Sequence, residues 1–446
     1  MNVDALRDKK ILIWGYGLEG KSILDLLIGR GIPRENITVA TNSEVNEKLG
    51  GIDFILEDKI LDCKFDVAVK SPGISFYRRE IEILEYRGTL ITSILNILLA
   101  EVQTCDLPLK TIGITGTKGK STTASMCYHM LRSLGHRVAL LGNIGVSFLD
   151  VIDSLGDYDY LLLELSSCQL QKMMYRLDYG ILLNLFREHL DWHISHENYF
   201  RDKLNIIKYS KICFVNYRDQ ITSKYVDMGN YSNLFNSEDS YHIRDGNICY
   251  GKDRLFAINS LNNIKGEHIF TNLCALLAML KKEKLDVGAA LESLREFKTL
   301  PHRLEVFYSD SESNSKFVDD SIATIPEATI EALKTFKDDN IFLILGGLDR
   351  QQDYSEILEF IEKNKNVSKV FLIGQTGEKL VGKLKNSEFF KNLEDLIKSI
   401  KNHNLENITV LLSPAAASFD MFENFKTRGN KFKELMKTPQ RNQSNS

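Results

Sequence analysis

Residues 111–123 constrain the fold of this chain more than any other stretch. They read Thr-Ile-Gly-Ile-Thr-Gly-Thr-Lys-Gly-Lys-Ser-Thr-Thr, so an apolar run ends in a glycine-rich loop that opens a helix-like segment. Glycines let backbone N–H groups turn toward phosphate oxygens, and a helix N-terminus adds a partial positive charge. The order of strand, loop and helix therefore predicts a site for a nucleotide triphosphate.

The general P-loop pattern assigns roles within this stretch. Lys120 would contact the β- and γ-phosphates, and a hydroxyl from Ser121 or Thr122 would hold Mg²⁺. The loop is a variant, because Ile114 stands where the common pattern has a glycine. A tight turn between strand and helix is the alternative, and the Gly-Lys-Ser sequence favours phosphate binding over it. We expect the ATP contacts of this loop at Gly116, Thr117, Gly119, Lys120, Ser121 and Thr122.

The rest of the chain predicts an α/β protein. Short apolar runs alternate with amphipathic stretches, which is typical of α/β domains with largely parallel sheets. Lost periodicity around residues 105–110 and a Leu-Pro-His-Arg sequence at 300–303 predict two linkers, and 446 residues suit three domains. We predict a Rossmann-like N-terminal domain (1–100), a central P-loop ATPase-type parallel-sheet domain (101–299) and a Rossmann-like C-terminal domain (300–446).

Composition narrows the class of partner. The net charge of −4 offers no basic excess for nucleic acid, and the seven cysteines lack C-x-x-C spacing and are typical of reduced thiols. The apolar runs are too short to span a bilayer, and the charged N-terminal residues do not resemble a signal peptide. We expect a cytoplasmic monomer that acts on small molecules and binds neither nucleic acid nor membranes.

A second glycine motif lies near the N-terminus. Gly15, Gly17 and Gly20 fit G-x-G-x-x-G between a strand and a helix, the fingerprint of dinucleotide-binding domains. That fingerprint also needs an acidic residue at the end of the next strand, where Thr41 and Asn42 stand here. The motif therefore favours a loop that holds another diphosphate. Close helix–strand packing, and a nicotinamide-dependent oxidoreductase, stay open as alternatives.

Two further segments follow apolar strands. Glu164 ends one of them, at the edge of a parallel sheet where ligands bind, and a lone carboxylate there favours a role with Mg²⁺. His189, Asp191 and His193 follow the next strand and could suggest zinc. Their spacing does not recur in the chain, so we instead expect His189 beside a second metal ion or the substrate.

Together these segments resemble the Mur ligase family, and most of all its glutamate-adding members. The Glu-Leu-Ser-Ser and Leu-Ser-Pro-Ala-x-Ala-Ser segments are the more specific ones, whereas the P-loop is shared with folylpolyglutamate synthases. The matching stretches are residues 71–74, 113–121, 142–145, 164–170, 188–191, 301–303, 320–321, 346–350, 412–420 and 428–429.

The resemblance implies a fold and a reaction. The first domain would bind the UDP part of the substrate, the central domain ATP and the last the amino acid. ATP would convert a substrate carboxylate to an acyl phosphate, which the amine of glutamate attacks. The implied function is addition of D-glutamate to UDP-N-acetylmuramoyl-L-alanine in peptidoglycan precursor synthesis. Ligation of L-glutamate and a catalytically weakened nucleotide-binding paralogue are the alternatives.

The resemblance also implies roles for single residues. Lys120, Glu164, His189 and Lys203 would be catalytic, with Lys203 carbamylated, and two Mg²⁺ ions would lie near Ser121, Glu164 and Lys203. Further ATP contacts would be Asn272, Arg303 and Asp320. Contacts to the UDP-linked substrate would be Gly17, Leu18, Ser71, Asn143 and His189. The glutamate pocket would include Thr324, Arg350, Ser418, Phe419 and Phe425.

Several positions depart from the family pattern. Ile322 replaces a lysine near the phosphates, Asn42-Ser43 replaces the Thr-Arg pair that contacts the UDP part, and Ile269 and Arg187 replace an asparagine and a threonine. The run from Asp320 to Glu327 resembles a branch that includes an L-glutamate-adding enzyme. The hand of the added glutamate is therefore the least constrained part of the prediction.

Overall fold

The structure is a computed structural model that describes residues 1–42, 50–142, 148–186, 193–261, 264, 266–298, 301–311, 313–324, 326–349 and 354–437. The chain forms two compact units, with the boundary between Phe297 and Lys298. The first unit contains two parallel sheets and a small antiparallel one, and the second contains one largely parallel sheet. The predicted α/β class with three parallel-sheet domains is confirmed.

The first sheet consists of β1 (Ile11–Trp14), β2 (Ile37–Thr41), β3 (Asp53–Leu56), β4 (Val67–Lys70) and β5 (Leu90–Thr92). Its order is β3-β2-β1-β4-β5, and all pairs are parallel. All four residues of β1 are buried, as expected for a central strand covered on both faces. The helices of this part are α1 (Leu18–Gly29), α2 (Arg79–Tyr86) and α3 (Ile94–Thr104).

The second sheet consists of β6 (Lys110–Thr115), β7 (Val138–Gly142), β8 (Tyr160–Glu164), β9 (Leu177–Leu182), β10 (Ser210–Asn216) and β11 (Leu234–Phe235). Its parallel order is β11-β10-β9-β6-β8-β7, so the loop after β6 lies between the ends of β8 and β9. The helices here are α4 (Lys120–Ser133), α5 (Ser167–Leu170), α6 (His196–Lys208), α7 (Glu267–Lys282) and α8 (Val287–Ser293). The antiparallel sheet is β12 (Tyr241–Arg244), β13 (Asn247–Tyr250) and β14 (Asp253–Ala257).

The second unit has a sheet of β15 (Glu305–Asp310), β16 (Ser315–Asp319), β17 (Asn340–Leu345), β18 (Val367–Ile373), β19 (Ser387–Phe390) and β20 (Ile408–Leu412). The order is β15-β16-β20-β17-β18-β19, and only the β15–β16 pair is antiparallel. Its helices are α9 (Pro326–Thr335), α10 (Ser355–Lys363), α11 (Gly374–Leu380), α12 (Leu393–Lys401) and α13 (Phe425–Lys437). Separate apolar clusters, one with Leu343 and one with Ile344, cover the two faces.

The connection between the first two sheets is short. Helix α3 ends at Thr104 and β6 begins at Lys110, so the predicted boundary at residue 100 falls inside α3. The domain limits themselves stay predictions. Among the described helices, none combines the length and apolar character needed to cross a bilayer.

The N-terminal glycine motif brings α1 close to β1. A Cβ atom built on Gly20 would lie 2.0 Å from the carbonyl oxygen of Gly15, whereas nothing lies within 4 Å of one built on Gly17. Gly15 in turn accepts a hydrogen bond from the Ser71 hydroxyl at 3.1 Å. At least Gly20 is therefore explained by packing, which was the alternative to a dinucleotide site.

We predict that Gly20→Ala destabilises the first unit by about 1–3 kcal/mol, because its methyl group would overlap a backbone oxygen that cannot move aside. Gly29→Ala, at the exposed end of the same helix, is the matched control, because its Cβ meets nothing within 4 Å. Urea unfolding followed by the fluorescence of Trp14, which is buried in β1, measures both variants. Equal midpoints for the two variants would contradict this packing argument.

Candidate active site

The loop between β6 and α4 has the backbone shape of a phosphate-binding turn. Gly119 precedes α4 with φ +81°, a left-handed conformation that favours glycine. A Cβ atom at Gly119 would also lie 2.3 Å from Nδ2 of Asn272, which belongs to α7. The structure therefore brings Asn272, predicted as an ATP contact, directly against the loop. The left-handed φ and the lack of space for a Cβ atom therefore both favour glycine at position 119.

Asn184 fixes the other side of the loop. Its carbonyl oxygen accepts from the Thr117 N–H and its Oδ1 from the Lys118 N–H, both at 2.9 Å. Its Nδ2 donates to the Lys118 carbonyl at 3.1 Å. The sequence prediction missed this residue. Its position just past β9, the strand next to β6, was the available signal, because polar residues at that edge of a parallel sheet meet the ligand loop.

Two lysine side chains converge on one carbonyl group of the loop. The Nζ atoms of Lys120 and Lys203 each donate to the Gly116 carbonyl oxygen at 2.9 Å. Lys120 also donates to the Thr117 carbonyl at 2.9 Å. Lys203 is only 2% exposed, so it is not the surface lysine that its local sequence indicates. The Lys120 ammonium brings a positive charge to this point, which suits a polyphosphate.

Helix α6 supplies a second contact to the loop. The Tyr199 hydroxyl donates to Oγ1 of Thr117 at 3.0 Å, and Tyr199 lies one helical turn before Lys203. Residues four apart share a helix face, so α6 turns one face toward the phosphate loop. Tyr199 was also missed from sequence. Its i, i+4 spacing from Lys203 was the signal that could have found it.

The predicted Mg²⁺ residues lie together. The Ser121 hydroxyl donates to Oε1 of Glu164 at 3.0 Å, and both side chains are buried, as is Thr122. Hydroxyl and carboxylate oxygens are the hard ligands that Mg²⁺ prefers, so this pair fits the ion. Lys203 offers a nitrogen and would provide oxygen ligands only as a carbamate. These residues would hold an ion that neutralises phosphate charge.

Some predicted residues cannot be placed. Asn143, His189, Asp191 and Arg350 lie outside the described residues, and of Leu18 only the backbone in α1 is described. His193, the third residue considered for zinc, is hydrogen-bonded to Ser167 and Asp202. Ser43, Arg187 and Ile325, at or next to departures from the family pattern, also lie outside.

In the second unit, Asp320 is buried at the end of β16. Its Oδ2 accepts from the Ser413 hydroxyl at 2.7 Å and its Oδ1 from the Leu304 N–H at 3.2 Å. Burial raises the pKa of Asp320 to about 7, although Ser413 and the charge of Arg303 oppose the rise. The structure thus brings Asp320 and Arg303, two predicted ATP contacts, into electrostatic contact.

His302 and Asp319, the residues just before Arg303 and Asp320, form a network with Glu305 and Lys433. His302 Nδ1 lies 2.7 Å from Oδ2 of Asp319, and Lys433 Nζ lies 3.4 Å from the same oxygen and 2.7 Å from Glu305. His302, Glu305 and Asp319 could together ligate a metal ion. The Lys433 ammonium already supplies the positive charge there, so we interpret the network as structural, holding His302 against the end of β16.

Arg428 ties together the loops that hold the predicted glutamate residues. This buried side chain donates to the Ser321 hydroxyl and carbonyl at 3.0 and 2.9 Å, and to the Ala416 carbonyl at 3.0 Å. Burial lowers the pKa of Arg428 to about 10, so it stays charged at neutral pH. Thr324 lies shortly after Ser321, and Ser418 lies shortly after Ala416, so Arg428 bonds close to both predicted residues.

The predicted aromatic residues of the pocket differ in setting. The ring of Phe425 packs edge-to-face on His302 with centroids 6.1 Å apart, whereas Phe419 is 60% exposed. The buried Ser418 hydroxyl has no hydrogen-bond partner among the described residues. A buried hydroxyl without a partner costs free energy, so it fits a site that a polar ligand group completes.

We predict that the stability advantage of the parent over Asp320→Asn falls as pH rises from 5 to 8. Between the unfolded pKa near 4 and the native value near 7, the native state holds the proton that the unfolded chain has lost. The stability that Asp320 contributes is therefore present at low pH and is lost as pH rises through 7, by at most about 1.4 kcal/mol per pH unit. Urea unfolding of both proteins across this range measures the difference, and a constant difference would contradict it.

Comparisons with known proteins agree with this geometry. Residues 114–280 match the Mur ligase middle domain, and residues 302–416 match the glutamate ligase domain of Mur ligases. The UDP-N-acetylmuramoyl-L-alanine–L-glutamate ligase of Xanthomonas euvesicatoria is 31% identical, over 98% of this chain and 96% of that protein. The UDP-N-acetylmuramoylalanine–D-glutamate ligase of Pseudothermotoga lettingae is 32% identical, over 95% and 97%.

Solved structures show the same fold at lower identity. The MurF ligase of Thermotoga maritima, in complex with ADP, has a TM-score of 0.59 at 19% identity, covering 98% of this chain and 96% of that one. The UDP-N-acetylmuramate–alanine ligase MurC of the same organism also has a TM-score of 0.59 at 19% identity, covering 96% and 98%. With relatives above 30% identity along almost its whole length, this chain belongs to the Mur ligase family and is an ATP-dependent ligase that forms peptide bonds.

Proposed function

We propose that this protein adds glutamate to UDP-N-acetylmuramoyl-L-alanine with hydrolysis of ATP to ADP, as a step in peptidoglycan precursor synthesis. The single observation that carries the proposal is the convergence of Lys120, Lys203, Ser121 and Glu164 on one phosphate loop. The names of the relatives supply the substrates. The domains 1–100, 101–299 and 300–446 would bind the UDP part, ATP and glutamate respectively.

The chemistry needs positioning and charge neutralisation more than it needs a nucleophile. Lys120, now donating to loop carbonyls, would move to the β- and γ-phosphates and stabilise the transferring phosphoryl group. The substrate carboxylate would take that group to form an acyl phosphate. The glutamate amine would then attack the acyl carbon, and phosphate would leave. Asn272, Arg303 and Asp320 would hold the base, phosphate and ribose.

Ser121 and Glu164 would hold Mg²⁺, which would supply positive charge to the phosphate oxygens. Lys203 would contribute as a carbamate, whose oxygens are ligands that an amine cannot offer. Its burial beside Gly116 supports this role, because it places the end of the side chain at the phosphate loop and away from solvent. His189 would lie near the second ion or the acyl acceptor.

The hand of glutamate depends on how the pocket aims its amine. Ser418, with its buried hydroxyl, and Arg350 would bind the carboxylates, and Thr324, Phe419 and Phe425 would set the orientation. A displacement of about 1 Å of the amine can cost 10²-fold in rate. Identities of 31% to an L-glutamate ligase and 32% to a D-glutamate ligase do not separate the two. We propose D-glutamate from the motif set, with L-glutamate as the second candidate.

We further propose that the enzyme works as a cytoplasmic monomer on small-molecule substrates. The net charge of −4 gives no basis for binding nucleic acid. Light scattering of the purified protein at working concentration tests the monomer.

We expect phosphate release only when ATP, UDP-N-acetylmuramoyl-L-alanine and glutamate are all present, with a higher kcat/KM for D- than for L-glutamate. A coupled phosphate assay run in parallel with each enantiomer gives both results. AMP and pyrophosphate as products would exclude the acyl-phosphate route. A preference for L-glutamate would reverse the hand and leave the mechanism standing, and no turnover with either would point to the weakened paralogue.

We expect Lys120→Ala to lower kcat by at least about 10³-fold, because the variant loses the charge that stabilises phosphoryl transfer. Lys118→Ala is the matched control. It removes an equal charge from the same loop, but its Nζ lies 5.9 Å from the ring centroid of Phe186 rather than on the loop carbonyls. The control should stay within about tenfold of the parent. A Lys120→Ala variant that does the same would make the loop structural.

A further inference from the structure

Three buried side chains of the central domain form a continuous hydrogen-bonded chain. The Ser167 hydroxyl lies 2.9 Å from Nε2 of His193, and Nδ1 of His193 lies 2.7 Å from Oδ2 of Asp202. A carboxylate only accepts, so the proton of Nδ1 points at Asp202 and the ring is aimed at Ser167. The exposed fractions are 4%, 0% and 6%, so the chain is sealed from solvent.

The order of these groups matches that of serine hydrolases, in which the serine attacks a substrate. A nucleophile must meet its substrate, however, and Ser167 and His193 are too deeply buried for that. The geometry instead suits a rigid support, because each member has its rotamer fixed by the next.

Asp202 also receives two donors from outside this chain of three. Nε2 of Gln171 donates to its Oδ2 at 2.5 Å, and the Tyr77 hydroxyl lies 3.2 Å from both carboxylate oxygens. Burial and the charge of Asp202 raise the pKa of Tyr77 to about 12, so this hydroxyl stays protonated and donates. The Phe76 N–H donates to Oε1 of Gln171 at 3.4 Å.

Tyr77 and Phe76 belong to the segment after β4, residues 71–77, which we name the substrate loop because it begins with Ser71. This loop is part of the first sheet's domain, whereas Asp202 lies on α6 of the central domain. Asp202 is therefore the acceptor on which the substrate loop docks. It is also adjacent in sequence to Lys203.

Helix α6 connects that dock to the phosphate loop. Asp202 accepts from the substrate loop, while Tyr199 and Lys203, three residues before it and one after it, donate to Thr117 and Gly116. The rise per residue of a helix is only about 1.5 Å, so these three residues cannot move independently. A shift of Asp202 would displace the Lys203 amine by a similar amount.

We propose that Asp202 is a positioning residue, which couples docking of the substrate loop to the placement of Lys203 on the phosphate loop. Resting on the ligase activity proposed above, this role makes the carboxylate of Asp202 important for turnover although it contacts no substrate. His193, Ser167 and Gln171 hold that carboxylate in place.

Asp202→Asn tests the proposal, because its amide keeps the size but turns an N–H₂ group toward the converging donors. We expect kcat to fall at least about tenfold and KM for the UDP-linked substrate to rise, with KM for ATP changing less than threefold. Tyr77→Phe removes only the donor of the substrate loop and should raise the same KM. In the double variant the two effects should be less than additive, because both act through one contact.

Asp178→Asn is the matched control, since it alters a part-buried carboxylate of β9, at the end of the central sheet away from the phosphate loop. Asp178 accepts from the Thr111 N–H at 2.8 Å and pairs with Lys211. The control should keep the parent's kcat and both KM values. A fall in kcat that is equal for Asp178→Asn and Asp202→Asn would overturn the proposal.

Hydrogen exchange measured by mass spectrometry gives a readout that needs no turnover. We expect Asp202→Asn, or Tyr77→Phe if the first variant does not fold, to speed exchange at least about tenfold in both segments 71–77 and 113–121. Faster exchange confined to α6, or unchanged exchange, would overturn the coupling. An inactive parent with the expected exchange pattern would instead refute the ligase activity and support the coupling.

Discussion

The carbonyl group of Gly116 is the point on which the site depends. A backbone carbonyl at the turn of a phosphate loop lies close to where anions bind, and the Nζ atoms of Lys120 and Lys203 both donate to it. Lys120 is 4 residues from Gly116 in sequence and Lys203 is 87 residues away, so the first is local and the second is brought there by the fold. The central sheet makes this possible, because its order places β6 between β8 and β9.

The parts of the fold predicted from sequence are those with strong local signals. The apolar run at 10–14 by itself predicts a strand and the stretch at 266–280 a helix, and the structure has them at Ile11–Trp14 and Glu267–Lys282. The apolar run at 181–185 also predicts a strand, but that strand lies at Leu177–Leu182. Its first residues include a polar Asp178, whose carboxylate accepts from Thr111 in β6, and this long-range pairing has no local pattern.

The residues of the candidate site also divide into those with a local sequence signal and those without one. The loop glycines, Lys120 and Ser121 could be predicted because a phosphate loop needs those residue types in a fixed order. Lys203 was found only through family resemblance, because its environment is set by a loop remote in sequence. Asn184 and Tyr199 were missed for the same reason. Asn184 bonds to the backbone of the loop and Tyr199 to the Thr117 hydroxyl, and neither role can be recognised without knowing which distant loop the residue meets.

Arg428 has a consequence for how this family member can evolve or be engineered. Its single guanidinium joins the turn after β16 to the turn after β20. A substitution made near Ser418, in the proposed glutamate pocket, would act on the same guanidinium that fixes Ser321, next to the proposed nucleotide contact Asp320. Changes in amino-acid selectivity should therefore carry along changes in nucleotide affinity, and variants that separate the two properties should be rare.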